Sequence, residues 1–331
     1  METRKLGSSG PMVGEIGLGA MGMSDFYGPA DRTESLAAIH AALDSGATLI
    51  DTGDFYGSGH NEMLIAEALR GRPRDSYVLS VKFGALRDPA AGFIGYDARP
   101  AAMKNALAYS LKRLNVDYID IYRPARLDPA VPIEETIGAI ADMVTAGYVR
   151  AIGLSEVGAA TIRRAAAVHP ISDLQIEYSL IVRMIEAEIL PACRELGIGI
   201  TAYGVLARGL ISGHWTKERS IGDFRAMTPR FAGDNLEHNL RLVEALRHVA
   251  AARGASVAAM AVAWVLAQGE DIVPLVGARK RAQWAESVAA ADLQLSAADL
   301  QAIEAAAPKG AAKGERYPAQ AMATLDSERR G

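Results

Sequence analysis

Residues 149–205 read VRAIGLSEVGAATIRRAAAVHPISDLQIEYSLIVRMIEAEILPACRELGIGITAYGV, and the fold is decided by how that stretch is parsed. Three short β-rich runs, VRAIGLS, DLQIEYS and GITAYGV, alternate with two amphipathic stretches of helical spacing, 158–168 and 185–197. Strict alternation of this kind implies parallel strands joined by helical crossovers. Working outward, the same pattern supplies EIGLG, TLID, YVLSVK and YIDIYR before the stretch and IVPLVGA after it, which brings the strands to eight. Further helices are expected at 33–45, 61–70, 99–115, 132–147, 235–253 with 256–267, and 279–291. Their ends are punctuated: Asp31 to Thr33 precede the first, Pro100 and Pro132 stand near starts, and Gly46, Gly147 and Gly197 follow ends.

Eight such units without a linker or a shift in composition favour closure into a single (β/α)8 barrel domain, over about residues 15–292, rather than an open doubly wound sheet. A short hairpin (TRKLG, the turn SSGP, VGEIGLG) is expected before it, and a C-terminal helix with a Lys/Gly-rich tail, 295–331, after it. Disorder is expected, if anywhere, at the ends. The loop from His214 to Asp234 is long enough for a substrate lid.

Composition narrows the function. Of 331 residues half are hydrophobic and 22% charged, the balance of a globular chain. Lys plus Arg (35) against Asp plus Glu (39) leaves a net charge of -4, so no global field draws the protein to nucleic acid or to an anionic membrane. Cys193 is the only cysteine, which rules out an intramolecular disulfide and suits a buried structural thiol. With no signal-peptide core and no run of membrane-spanning length, a cytoplasmic address is expected. The six histidines do not pair with acids or with Cys193 at ligand spacing, so no metal is expected. Gly17, Gly19 and Gly22 match a dinucleotide fingerprint, GxGxxG, but Gly28 and Pro29 follow where that motif needs a helix to open, so the match is read as accidental. A nucleophile elbow, GxSxG, is absent.

In a barrel the working groups stand at the C-terminal ends of the strands. Asp51 ends TLID, Lys82 ends YVLSVK, and Tyr56 lies in the loop DTGDFYG. A phenol has an ordinary pKa of about 10. An ammonium beside it favours the phenolate, and a carboxylate behind fixes that ammonium. The trio therefore suits protonation of a carbonyl oxygen during hydride transfer, with the hydride supplied by a cofactor. Met21, Met23, Phe26 and Tyr27, with Phe93 and Tyr96, are candidates for an apolar substrate wall, as is Trp215.

The segments GLGAMGMSDFYG, LIDTGDFYGSGHNEMLIAEAL, VLSVKFG, DYIDIY, GYVRAIGLSE, LQIEYSL, ITAYGVLARGLISG and VPLVGARKRAQWAES resemble the successive signatures of the aldo-keto reductase superfamily, most of all its microbial branch acting on aldehydes and simple ketones. The likeness runs from about Arg4 to Leu295. It implies NADPH-dependent, reversible reduction of a small-molecule carbonyl compound, with Tyr56 as proton donor tuned by Lys82 and Asp51. It also implies NADP(H) lying across the strand ends: Gly19, Ala20 and Met21 close to it, Ser155 and Gln175 at the carboxamide, Tyr203 stacked on the nicotinamide. Gly204, Leu206 and Arg208 would line the pyrophosphate, and Gly277, Arg279, Gln283, Glu286 and Ser287 the adenosine end. Tyr27, Phe55 and Arg123 are the candidate substrate contacts. Arg279, Lys280 and Arg281 cluster at a helix start, where a phosphate would offset their unfavourable position on the helix dipole, and this points to NADPH rather than NADH. Homo-oligomers are left open.

Two positions depart from the family pattern. Where the family has a histidine that orients the carbonyl, this chain has Ala125, and three readings stand: Tyr56 with Lys82 suffices, an arginine substitutes, or the barrel is an NADP(H)-binding regulatory or redox-sensing subunit with little turnover. By strand alternation Arg123 would share the inward direction of Ala125 and Arg126 would face away. Glu156 stands where the family usually has Asn. It is expected to accept from the carboxamide, with Gln175 supplying the donor it cannot.

Overall fold

The computed structural model describes residues 1–24, 26–218 and 221–329, so Asp25 of the quoted GLGAMGMSDFYG segment and residues 219–220 of the expected lid lie outside the described residues. The expected strands close into a (β/α)8 barrel. A hairpin of β1 (Thr3–Lys5) and β2 (Met12–Gly14) leads into β3 (Gly17–Gly19), β4 (Leu49–Gly53), β5 (Val78–Phe83), a lateral hairpin of β6 (Ala85–Arg87) with β7 (Phe93–Tyr96), then β8 (Ile119–Pro124), β9 (Val149–Ser155), β10 (Ile171–Glu177), β11 (Gly199–Tyr203) and β12 (Ile272–Gly277). The barrel order is β3-β4-β5-β8-β9-β10-β11-β12, closing on itself, and its pairs are all parallel. The lateral hairpin falls in the stretch after Lys82 that reads as plain loop.

Helices α1 (Arg32–Asp44), α2 (His60–Ala68), α3 (Pro100–Leu114), α4 (Ile133–Thr145), α5 (Ala159–Ala166), α6 (Ile189–Glu195), α7 (Gly233–Ala252), α8 (Val257–Leu266), α9 (Arg281–Val288) and α10 (Ala297–Ala306) follow the expected order. Asp31 caps α1 by accepting from the Glu34 amide at 2.7 Å, and Gly46, Gly147 and Gly197 take positive φ just past their helices. One boundary differs. The run 185–197 begins as a short 3-10 turn, and α6 starts only at Ile189, because Pro191 has no N–H to give an interior helical bond and is tolerated in a first turn. Cys193 is buried on α6, and burial pushes its thiol up to about 12, as expected of an inert structural cysteine. Among the described residues no single helix is long and apolar enough to cross a membrane.

Inside the barrel, side chains of alternate positions stack in layers. At the N-terminal end Leu49, Val78, Ile121, Ala151 and Val273 form an apolar layer, and Leu6 and Val13 of the N-terminal hairpin close over it. Above it the interior turns polar. Arg123 on β8 is fully buried; its Nη1 and Nη2 donate to Asp173 of β10 at 2.8 and 3.2 Å, and Nη2 also donates to Ser80 of β5 at 3.0 Å. Gly153 on β9 makes the space, since a Cβ there would stand 2.7 Å from the guanidinium carbon. Arg123 is therefore a structural plug and not the substrate contact that alternation suggested: it does face inward, but below the mouth, with both Nη atoms committed to the Asp173 layer.

Replacing Arg123 by Met leaves Asp173 buried and unpaired, which should lower the unfolding free energy by about 3–5 kcal/mol. Arg123→Met combined with Asp173→Leu should recover most of that loss in urea titration, and a double variant as unstable as the single one would show that packing, not charge, governs this layer.

Candidate active site

The parallel register carries the polar chain upward. Asp51 pairs with Ser80 across β4 and β5, and Lys82, two residues further along the same face, pairs with Gly53. Asp51 is buried and accepts from Ser80 Oγ at 2.7 Å, from Gln175 Nε2 at 2.7 Å and from the Lys82 ammonium; Lys82 also donates to Gln175 Oε1 at 2.9 Å. Burial lowers the Lys82 pKa and the Asp51 carboxylate works against that fall.

Tyr56 comes from the turn after β4. This turn has left-handed backbone at Gly57 and Ser58, and its path is pinned by Asn61, whose Nδ2 donates to the Ala20 carbonyl at 2.9 Å while its Oδ1 accepts from Thr52 at 2.7 Å. Lys82 Nζ lies 5.2 Å from the Tyr56 ring centre. Burial, and then Asp51, raise the phenol well above its ordinary value, so Tyr56 holds its proton at neutral pH.

Tyr56 and Lys82 open on a cavity of about 760 Å³ across the C-terminal mouth of the barrel. Of the expected cofactor residues, Gly19, Met21, Asp51, Gln175, Tyr203, Gly204, Leu206, Arg208, Gly277, Arg279, Gln283, Glu286 and Ser287 all line it. Tyr27 and Phe55 line it as well, joined by Phe26, Phe93, Tyr96, Arg126, Phe224 and Tyr317. Ala20 and Ser155 are buried just behind the wall. Among the described residues no group of three or more His, Cys, Asp or Glu side chains is arranged to hold a metal ion.

Residues 15–308 match the Aldo/keto reductase family. The chain belongs to that family. It is 40% identical to "Probable aldo-keto reductase 1" of Glycine max over 95% of this chain and 91% of that protein. The glycerol dehydrogenase AKR11B4 from Gluconobacter oxydans superposes with a TM-score of 0.84 at 29% identity over 92% of this chain and 94% of that one. The aldo-keto reductase AKR11C1 from Bacillus halodurans gives 0.77 at 28% identity over 96% and 99%. This aldo-keto reductase is thus an oxidoreductase of a family that acts on small carbonyl compounds with a nicotinamide cofactor.

Around that shared framework several side chains sit otherwise than the sequence suggested. Arg126, expected to face away, lines the cavity: its Nη1 donates to the Ala125 carbonyl at 2.7 Å and to Ser155 Oγ at 3.3 Å. Alternation holds only while the chain stays in the ladder, and β8 ends at Pro124, so the backbone turns over the mouth and takes Arg126 with it. Gln175 is engaged at both ends of its amide by Lys82 and Asp51. Of the basic cluster at α9, Arg279 and Lys280 line the cavity, but Arg281 turns outward to Glu34 at 2.6 Å, so the three do not converge. Trp215 is buried against Phe231 and Arg225 instead of walling the cavity.

The C-terminal tail is the largest departure from expectation. It folds across the mouth, tied by Arg230 Nε to the Gly314 carbonyl (3.1 Å), by Asn239 to Lys313 (2.9 Å) and by the Gly158 amide to Asp326 (2.9 Å). Buried Arg316 donates to both oxygens of Glu156 (2.9 and 2.6 Å), to Glu177 (3.1 Å) and to Glu328 (2.8 Å). Glu156 also accepts from Tyr203 Oη (2.7 Å) and Ser327 Oγ (2.7 Å), so its carboxylate is committed to the tail and to Tyr203. Its φ of +53 is a left-handed backbone that suits Asn and strains Glu by about 1–2 kcal/mol, which the paired charge offsets. Tyr317, next to Arg316, reaches Tyr203 Oη at 3.0 Å and lies 4.3 Å below the Arg208 guanidinium carbon. No periodicity announces these contacts; the surplus of Glu at 156 was the one available signal.

Burial alone would raise the Glu156 carboxyl, but the Arg316 guanidinium holds it well below the usual carboxylate range. Its folded pKa lies under the unfolded value, so its stabilisation is present above pH 4.5 and is lost as the pH falls. Arg316→Met should cost about 3–5 kcal/mol at pH 7 and free the tail for limited proteolysis. The gap from the native protein should narrow in acid; a gap independent of pH would mean that the pair acts through packing alone.

Proposed function

We propose that this aldo-keto reductase reduces aldehydes or ketones with NADPH, reversibly, and that Tyr56 is its proton donor. The observation that carries this reading is the buried Asp51, Lys82 and Gln175 network beneath a protonated Tyr56 at the cavity floor. The part of the cavity beside α9 fits a nucleotide phosphate, because Arg279 and exposed Lys280 line it at the start of that helix. The nicotinamide, when bound, supplies the hydride. The chain's own work is to hold the carbonyl oxygen against Tyr56, to release the phenolic proton to the nascent alkoxide, and to stabilise the resulting phenolate with the Lys82 ammonium, whose place Asp51 and Gln175 fix. Arg208, among paired charges, and Gly204, at φ +67, shape the middle of the groove where the pyrophosphate would lie.

One observation favours the second reading, an NADP(H)-binding regulatory subunit: Ala125 lines the cavity where the family's histidine would stand. NADPH oxidation with a panel of aldehydes and ketones separates the two. Tyr56→Phe should lower kcat/KM by about 100-fold or more. Cofactor binding with no native turnover on any carbonyl, and turnover gained by Ala125→His, would favour the subunit. For cofactor choice, Lys280→Ala should reduce the NADPH-over-NADH ratio of kcat/KM by about tenfold, one charge-assisted bond to phosphate; an unchanged ratio would remove the argument for NADPH.

A further inference from the structure

Two of the guanidinium groups that line the cavity, and one behind its wall, are matched by carboxylates. Arg208 pairs with Glu177, Arg225 with Asp223, and Arg316 with Glu156, Glu177 and Glu328. Arg126 differs from these three: no carboxylate among the described residues forms an ion pair with it. Its described partners are the Ala125 carbonyl (2.7 Å), Ser155 Oγ (3.3 Å) and, at the limit of a hydrogen bond, Tyr317 Oη (3.5 Å). A guanidinium offers five N–H donors, and the first two of these partners occupy Nη1. The Nη2 and Nε edge is left with only the long contact to Tyr317.

The surroundings do not neutralise this charge. Both oxygens of Glu156, the acid whose field reaches Arg126, are already taken by Arg316, Tyr203 and Ser327. The other neighbours that bear on it are the phenols Tyr96, Tyr203 and Tyr317. The cationic edge faces the same cavity as Tyr56, next to the space that the small side chain of Ala125 leaves. A half-desolvated cation without a counter-charge is costly, and the planar pair of donors on a guanidinium edge matches a carboxylate.

We propose that Arg126 is an anion receptor for the substrate, so that the carbonyl compounds this protein reduces best carry a carboxylate. The inference rests on the reductase reading above. The carboxylate lies on the Nη2 and Nε edge while the carbonyl oxygen faces Tyr56. A hydride, which the bound nicotinamide would supply, would add to the carbonyl carbon as the carbon–oxygen π bond opens; the oxygen would take the Tyr56 proton, the phenolate would regain a proton from solvent, and the carboxylate would be unchanged.

The test measures kcat/KM from NADPH oxidation for benzaldehyde and for 2-, 3- and 4-carboxybenzaldehyde, using the full chain and its Arg126→Lys and Arg126→Met variants. At least one carboxylated isomer should exceed benzaldehyde by about tenfold or more in the native protein, mostly through KM. That preference should survive in part in Arg126→Lys and collapse in Arg126→Met. Benzaldehyde equal to or better than all three isomers, or a preference that Arg126→Met leaves unchanged, overturns the proposal. If the Met variant does not fold, an undiminished preference in Arg126→Lys, which cannot offer the planar edge, overturns it equally. Should the native protein reduce none of the four aldehydes, the reductase reading fails by itself, and calorimetric titration with benzoate decides the anion site: binding lost in Arg126→Met sustains it, and no binding to the native protein ends it.

Discussion

The barrel depends on how it buries charge along its axis. From Asp173 through Arg123 and Ser80 to Asp51 and Lys82, an unbroken hydrogen-bonded chain climbs the interior, with two carboxylates against two cations. Each link satisfies a group that would otherwise be stranded in a medium of low dielectric. The chain also rigidly seats its upper end, so the lysine and carboxylate beneath Tyr56 are held by the same contacts that fill the core. Structure and chemistry are here continuous: the apolar layer under the hairpin, the polar plug above it and the reactive mouth are successive levels of one stack.

Much of this was legible in the sequence because it is local. Each strand betrays itself by a run of apolar residues, each crossover by helical spacing, and Asp51 and Lys82 by ending their strands. What could not be read is what depends on three-dimensional placement. Arg123 and Arg126 are three positions apart, and which one reaches the cavity turns on where β8 leaves the ladder, a matter of one or two residues that periodicity does not resolve. Asn61 steers Tyr56 through a contact with Ala20, 41 residues away. Arg316 meets Glu156 across 160 residues, beyond the reach of any pattern.

The departures from the family pattern are connected through this geometry. Ala125 puts a small side chain at the mouth, and Arg126 is the next residue along. Glu156 introduces a charge, and the tail brings the charge that matches it. Tyr203 is shared between the two changes, since its hydroxyl touches both Glu156 and the tail residue Tyr317. The mouth is thus a linked network of Arg126, Glu156, Tyr203 and Tyr317 above the floor of Asp51 and Lys82.

The position of Arg316 in the chain gives the folded tail a temporal meaning. All eight strands, and Tyr56 and Lys82 with them, are translated before the residue that pairs with Glu156. A nascent barrel therefore carries the Glu156 carboxylate without its guanidinium partner until Arg316 joins it, and a chain interrupted short of Arg316 never gains that partner. The binding mouth is thus finished only after the strands that carry it.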